Sequence, residues 1–443
     1  MFKGVTAVYK LAIPILLTTV FSVLSVLVNT KILGEVNNDY LYILAIYVPV
    51  SIYIVALLES FQAAGFAFSG MAQGSGDLKR LAKRFSVTLV AITIFCLITW
   101  LCFMLLQDVF FLALNVELVH QAEIGDFVSL ALLSSILVLS STMLGSMCYV
   151  FGSGFRVTLC SALANCCGFF ITWYCANHLA LGTSSLIISQ VVSSSICLLS
   201  FAVMLRRKKL SWLSKIGFSD FRETYGIAAN IVIPVFLSFM VFIVQAGVIS
   251  HILSEYSATL VSAYGIAYRL QNLLILPAVA IGISIAIKVN EFRGRDEEEK
   301  ANELIRNCIK SVLLMYSVFA IGVFFTNSYF VSLLTNDIGV ATAAAEFFNY
   351  VSPSYLVFGP LVSFLIMQEQ IGKGKRALCF NLFATAIQLL LIYAAHHFYQ
   401  NPQIIYLTIA IGSVLAGIYV LVQLPSKQHE CIDLHKPSTI RIN

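Results

Sequence analysis

Residues 41–84 read LYILAIYVPVSIYIVALLESFQAAGFAFSGMAQGSGDLKRLAKR. From Leu41 to Met71 the one charged side chain is Glu59, and the run ends in Gly74-Ser75-Gly76-Asp77 followed by Lys79, Arg80, Lys83 and Arg84. A helix of about twenty apolar residues crosses the ~30 Å hydrocarbon core of a bilayer. A basic cluster directly after it marks the side on which the chain emerges. The stretch therefore predicts a membrane-spanning helix that ends in a short inner loop.

The same pattern recurs outward from this stretch in both directions. Of the 443 residues, 59% are hydrophobic and 11% charged, less than half the charged fraction of roughly 25% expected of a soluble domain. Apolar runs over 6–33, 41–70, 85–107, 126–148, 157–178, 183–205, 225–253, 258–287, 307–326, 341–367, 377–398 and 403–424 predict an all-α polytopic membrane protein of about twelve spans. The first run is too long for a removable signal peptide and lacks a small-residue cleavage site.

Taking the N-terminus as inside, 23 of the 27 Lys and Arg residues fall on inner segments. The outer loops carry none and are acidic where charged, as at Glu35, Asp39, Glu117, Glu123, Asp126 and Asp337. This places both termini in the cytoplasm. The net charge of +5 reports that asymmetry and not a nucleic-acid partner. The eleven cysteines lie mostly inside spans, where they act as small apolar residues. Cys166-Cys167 has no metal-ligand spacing, and five of the seven histidines, His120, His178, His251, His396 and His397, sit at outer helix ends or outer loops.

A shift of about 220 residues brings the chain into register with itself. Ile13-Pro14 meets Ile233-Pro234, and Thr30-Lys31-Ile32-Leu33 meets Ser250-His251-Ile252-Leu253. Gly74-Ser75-Gly76-Asp77 meets Arg293-Gly294-Arg295-Asp296, and Gly152, Gly154 and Arg156 meet Gly372, Gly374 and Arg376. Six spans per half is an even number, so both halves enter the membrane in one direction. The expectation is two parallel six-helix repeats related by a pseudo-twofold along the membrane normal. The division is an N-terminal lobe over 1–205, a cytoplasmic linker over 206–224, a C-terminal lobe over 225–424 and a cytoplasmic tail over 425–443. The linker mixes Trp212, Leu213, Ile216, Phe218 and Phe221 with basic residues, as a segment lying on the inner leaflet or a solvated tether would.

Polar groups deep in spans are costly to insert and are the first candidates for function. Glu59 lies in the inner half of the second span, three residues before Gln62. Arg269 is ~17 Å along the eighth span, where an arginine costs about 3 kcal/mol on insertion scales. It therefore needs a cavity, a carboxylate or helix-end carbonyls. Asn29, Asn165, Gln245 and Asn272 are neutral pathway candidates, although such amides more often join helices to one another. Glu369 closes the tenth span near the inner surface, where a carboxylate is cheap to keep. Pro14, Pro234, Pro49 and Pro277 permit kinks or discontinuous helices. No phosphate-binding GxxxxGK[ST] loop occurs, since Gly372-Lys373-Gly374-Lys375 lacks its spacing, and no clustered catalytic set is found at either face. The expectation is a transporter and not an enzyme, without a prosthetic cofactor.

In these residues the chain resembles the multidrug and toxic compound extrusion (MATE) transporters, from about residue 10 to 424. The resemblance rests on Pro14, Asn29 and Gly34; on Ala72-Gln73-Gly74-Ser75-Gly76-Asp77; on Gly265-Ile266-Ala267-Tyr268-Arg269 with Pro277 and Gly282; and on Ile371-Gly372-Lys373-Gly374-Lys375. It implies a V-shaped, twelve-helix exporter of small organic compounds by alternating access. It also implies a driving proton or sodium gradient, a plasma (inner) membrane location, contact with membrane lipid, and action as a monomer. Where the family keeps coupling carboxylates this chain has Asn29, Phe169 and Phe242, so the resemblance implies an atypical ion coupling. Two alternatives stay open: a flippase of lipid-linked saccharides from the same superfamily, and a membrane-embedded transferase.

Overall fold

The apolar runs fold as helices whose ends are set by short polar caps. α1 (Phe2–Val36) and α2 (Asn38–Ser75) meet at Asn37, whose side chain accepts from the Asp39 amide. At the other end of α2, Gly76 takes φ 75° and its amide closes on the Ala72 carbonyl. Glycine adopts this left-handed conformation without steric penalty and so stops the helix. Asp77 then caps α3 (Leu78–Ala113) by accepting from the Arg80 amide. The order continues with α4 (Leu118–Cys148), α5 (Gly154–Asn177), α6 (Ser184–Arg207), α7 (Phe218–Ser254), α8 (Ala258–Gly294) and α9 (Glu298–Ser332). It ends with α10 (Ile338–Val351), α11 (Tyr355–Gln368), α12 (Gly374–Tyr399) and α13 (Pro402–Val422). This computed structural model describes residues 2–424 except positions 115, 180, 333 and 336. The expected tail over 425–443 lies outside the described residues.

Among the described residues, ten helical stretches are long and apolar enough to cross a membrane. Two of the expected inner loops are tight kinks with non-helical backbone, each joining two separate helices. They fall within Leu118–Asn177 and Ile338–Tyr399, stretches of 60 and 62 residues. Each has a π-type turn, Tyr149–Ser153 or Glu369–Lys373, with one glycine of positive φ, 77° at Gly152 and 82° at Gly372. The bends reverse the chain. α4 runs alongside α2, as the Tyr47–Phe127 ring contact and the approach of Gly65 to Ser146 show. α5 returns alongside α1, with the Thr158 hydroxyl donating to the Pro14 carbonyl at 2.8 Å. In the second half, α11 follows α8 through Ser363 and the Ala278 carbonyl, while α12 follows α7 through Gln388 and Gln245.

The helices continue through Pro49 and Pro277 without interruption. At Pro277 a side chain mends the local damage. Tyr316 of α9 accepts from the Ala278 amide at 3.1 Å and donates to the Leu274 carbonyl at 2.7 Å, bridging two backbone groups that would otherwise pair directly. A Cβ on Gly359 would run into the Tyr316 ring, so the glycine makes room for this plug.

The segment joining the halves, 208–217, is neither a surface helix nor a free tether. Leu210 is buried, Trp212 packs on the core, and the Ser214 amide donates to the Ser86 hydroxyl at 2.8 Å. One apolar core spans both halves at the end rich in Lys and Arg. A second lies wholly within the C-terminal half, around Tyr264, Phe347, Tyr355 and Tyr406. The described cysteines are all free.

Candidate functional site

The halves are pinned together at the basic end by three kinds of contact. Helix backbones meet where α2 crosses α8: a Cβ on Gly70 would lie 2.9 Å from the Ile287 carbonyl oxygen. One turn on, a Cβ on Gly74 would collide with the Glu291 carbonyl, and a Cβ on Gly294 with that of Met71. Small residues allow this close approach, which is the principal glue between helices in lipid. Hydroxyls meet where α1 crosses α9, Tyr9 to Ser311 at 2.9 Å. Charges meet where α3 faces α7: Arg80 and Arg84 both reach Glu223, at 2.8 and 2.9 Å, and Lys83 reaches Asp220 at 3.0 Å.

Above this closure the facing surfaces of α2 and α8 separate, while α2 still touches α7 through the Tyr53 and Phe236 rings, 5.7 Å between centroids. Eleven residues is close to three turns of helix, so Glu59 and Val48 lie on the face of α2 that carries Gly70. Along that face the exposure is 39% at Leu41 and 48% at both Val48 and Val55, with Glu59 half-buried and Phe66, lower down, at 1%. On α8, Arg269 is eighteen residues, or about five turns, from Ile287 on the face that meets α2. Ser262, Gly265, Arg269 and Asn272 are all exposed there, and nothing lies within 4 Å of a Cβ built on Gly265. Two facing stripes that touch at one end and are bare above it are the walls of a V-shaped cleft. It is closed at the basic end and open at the other.

Within the cleft the expected polar residues fall at different depths. From the Gly70–Ile287 contact, Glu59 is ~16 Å up one wall and Arg269 ~27 Å up the other. They are therefore no ion pair, and neither has a hydrogen-bond or charged partner among the described residues. Gln62 lies below Glu59 and is half-buried. Asn272 is almost one turn below Arg269 and exposed. Asn29, eight residues before the α1–α2 turn at Asn37, is ~20 Å nearer the mouth than Glu59. It is half-buried with its Oδ1 enclosed and unpartnered. Asn165 is half-buried on α5. Gln245 is engaged inside the C-terminal half: its Nε2 donates to Gln388 Oε1 at 2.7 Å, and Gln388 donates onward to the Ile409 carbonyl at 3.1 Å.

Two buried polar pairs below the cleft were not legible in the sequence. Thr18 meets the Tyr149 hydroxyl at 2.5 Å in the first half, and Ser238 donates to Glu369 Oε1 at 2.5 Å in the second. Glu369 is 8% exposed and therefore interior, which corrects its reading as an interfacial carboxylate. The bend at Gly372 carries it inward against α7. No group of three or more His, Cys, Asp or Glu able to hold a metal ion occurs among the described residues.

Against known proteins, the MatE family model matches residues 232–394. Among curated proteins there is no significant sequence match. By structure the chain is similar to an aspartate-to-asparagine mutant of the Vibrio cholerae MATE transporter VcmN, with TM-score 0.88, 16% identity, and 95% of this chain and 96% of that one covered. It is similar also to a MOP superfamily transporter from Pyrococcus furiosus whose binding pocket is described as reversed in polarity, with TM-score 0.84, 16% identity, and 95% and 94% covered. A third is a multidrug resistance MATE family transporter of the MOP superfamily in an outward-facing conformation, with the same score, identity and coverages. At these identities the likeness is one of fold.

Proposed function

We propose that this chain is a membrane exporter of the MATE family, whose model matches residues 232–394, and that this structure is the outward-open state of a secondary exporter of small organic compounds. Members of the family are transporters, not enzymes, and use ion gradients without a prosthetic cofactor. The observation that carries the reading is the pair of facing stripes, Glu59 and Val48 against Arg269 and Gly265, bare above a backbone contact at Gly70 and Ile287. Alternating access needs one end sealed while the other admits substrate. Here the seal is at the basic end, which the distribution of Lys and Arg assigns to the cytoplasm, with both termini, in a plasma membrane.

The motion that suits this geometry is rocking of two six-helix lobes, residues 1–205 and 225–424, in a chain that crosses the bilayer twelve times and works as a monomer. Local correspondences at a shift of 220 support a parallel repeat. Pro14 lies against Gly154 as Pro234 lies against Gly374, positive φ recurs at Gly152 and Gly372, and it recurs again at Gly76 and Asp296. The Thr18–Tyr149 pair falls on Ser238–Glu369 at the same shift.

For coupling, Glu59 is the one carboxylate on the cleft face of α2, and it takes the role that Asn29 cannot, since an amide does not titrate. Gln62, Arg269, Asn272, Asn29, Asn165 and Gln245 complete the candidate pathway for substrate or ion. Arg269 also favours a second reading, flipping of a lipid-linked saccharide, because an unpaired cation in an open cleft suits a diphosphate. The test is uptake into proteoliposomes under imposed proton or sodium gradients, with a panel of organic cations, neutral amphiphiles and a lipid diphosphosaccharide. Gradient-driven accumulation of small compounds supports the exporter. Movement of the lipid diphosphosaccharide alone replaces it with the flippase.

A further inference from the structure

The basic residues at the closed end are not equivalent. Arg80, Lys83, Arg84, Lys288, Arg295 and Lys300 each pair with a carboxylate. Arg156, at the start of α5, and Arg207 and Lys208, where α6 ends, have no ion pair among the described residues. These three converge on one cavity of about 520 Å³ within the N-terminal half, whose lining contains no Asp or Glu. Its other polar walls are the Ser153 and Ser200 hydroxyls. Lys208 is held toward the cavity by donating to the Phe151 carbonyl, a group released at the Gly152 bend.

The remaining wall is apolar and faces outward. Leu199 is 67% exposed and Val203 48% exposed, one turn apart on α6, and the strip they begin ends at Arg207. Phe155, beside Arg156, is 69% exposed. In a bilayer these side chains lie against acyl chains while the cations sit at head-group level. A site with three uncompensated cations, two hydroxyls and a hydrocarbon-facing strip fits a phosphate ester carrying fatty chains better than any soluble anion.

We infer that this cavity binds an anionic phospholipid, with the phosphate on Arg156, Arg207 and Lys208 and the chains along Leu199, Val203 and Phe155. Basic pockets between helices on the cytoplasmic side take such head groups, and each cation near the surface contributes about a fivefold gain in affinity. The bland alternative is that the three charges only mark the inner side, as scattered cations do. It is distinguishable because scattered cations elsewhere at this end would then serve equally.

The experiment uses the full chain in detergent, titrated with phosphatidylglycerol, phosphatidylcholine or inorganic phosphate, and bound lipid is counted by native mass spectrometry. The expected result is one saturable phosphatidylglycerol. Its affinity falls about fivefold in R207Q and is lost in the triple variant R156Q/R207Q/K208Q. Phosphatidylcholine does not bind, inorganic phosphate does not compete at equal concentration, and the control K79Q/K215Q/R222Q binds like the parent. Equal binding by the parent and R207Q overturns the proposal, as does loss in the control. Competition by inorganic phosphate overturns it in favour of a plain anion site. Should the triple variant not fold, the comparison of R207Q with the control decides. No transport is measured, so the outcome is independent of the exporter reading.

Discussion

Ser238 on α7 donates its hydroxyl to Glu369 at 2.5 Å across 131 residues of sequence, the one hydrogen bond of that buried carboxylate among the described residues. No cation faces it among the described ion pairs. The neighbouring backbone is tied to α8, since Asn290 donates to the Gln370 carbonyl at 3.1 Å and Arg293 to the Ile371 carbonyl at 2.9 Å. The bend between α11 and α12 is thus held to α7 by Glu369 and to α8 by the carbonyls of Gln370 and Ile371.

A structural role for Glu369 has a clear signature. Glu369→Gln keeps an acceptor for Ser238 and should leave the apparent Tm in detergent nearly unchanged. Glu369→Ala removes the acceptor and opens a cavity, and should cost about 2–4 kcal/mol. Thermal unfolding of the two variants checks this. Equal destabilisation by Gln and Ala would assign the carboxylate a charge-dependent role instead.

The closed end should be set by the glycine contacts more than by the ion pairs. The Arg80, Arg84 and Glu223 side chains are partly exposed, and such pairs contribute about 1 kcal/mol or less. Gly74→Ala places a methyl group against the Glu291 carbonyl, and overpacking of this kind costs about 1–3 kcal/mol. That is enough to shift the balance of closed and open forms by roughly 5- to 160-fold. Spin labels at positions 79 and 299, on the two halves, should report a longer distance in Gly74→Ala and no change in Gly226→Ala, where nothing lies within 4 Å.

Arg269 stands exposed on the cleft face with no partner to lose among the described residues. Arg269→Ala should therefore leave the folded protein within about 0.5 kcal/mol of the parent and insert at least as well, since a deep arginine is costly to insert. Transport should drop at least tenfold, with partial recovery in Arg269→Lys. A variant that transports normally but is recovered in poor yield would make the arginine a packing element.

Much of this was readable in the chain. Hydropathy marks which residues are in the bilayer, and basic loops mark which end is which, so the spans and the basic end follow from runs such as 41–84. The glycines at 74, 76, 152 and 372 could be read as punctuation, although not how tightly two of them turn one helix into the next. What could not be read is who faces whom. Lipid-facing and protein-facing surfaces are equally apolar, so periodicity does not separate the Leu199 face from the Leu57 face. Nor does it show that Tyr316 mends α8 at Pro277, that Trp212 turns inward, or that Gln245 is engaged by Gln388. Those pairings depend on how helices distant in sequence are brought together, and the bends at Gly152 and Gly372 decide two of them.

The last prediction concerns coupling. Glu59 and Asn29 are ~20 Å apart in depth, so they cannot serve a single ion site at one moment. Asn29 is near the mouth with an enclosed, unpartnered carbonyl oxygen, suited to accepting from a substrate or ligating a cation but not to carrying a proton. Glu59 lies ~16 Å above the α2–α8 contact, with no cation paired to it among the described residues, on the wall that would open and close in the proposed rocking motion. In the proposed coupling, a proton taken there from the open cleft would be released when the basic end opens. Glu59→Gln, which fixes the neutral form, should abolish proton-driven transport in proteoliposomes while substrate exchange without a gradient continues. Asn29→Ala should weaken transport severalfold without uncoupling it. Asn29→Asp should add a titrating group near the mouth and move the pH optimum. Proton-driven flux that persists undiminished in Glu59→Gln would exclude this carboxylate as the carrier, and repeating the assay with a sodium gradient would then show whether a cation site takes its place.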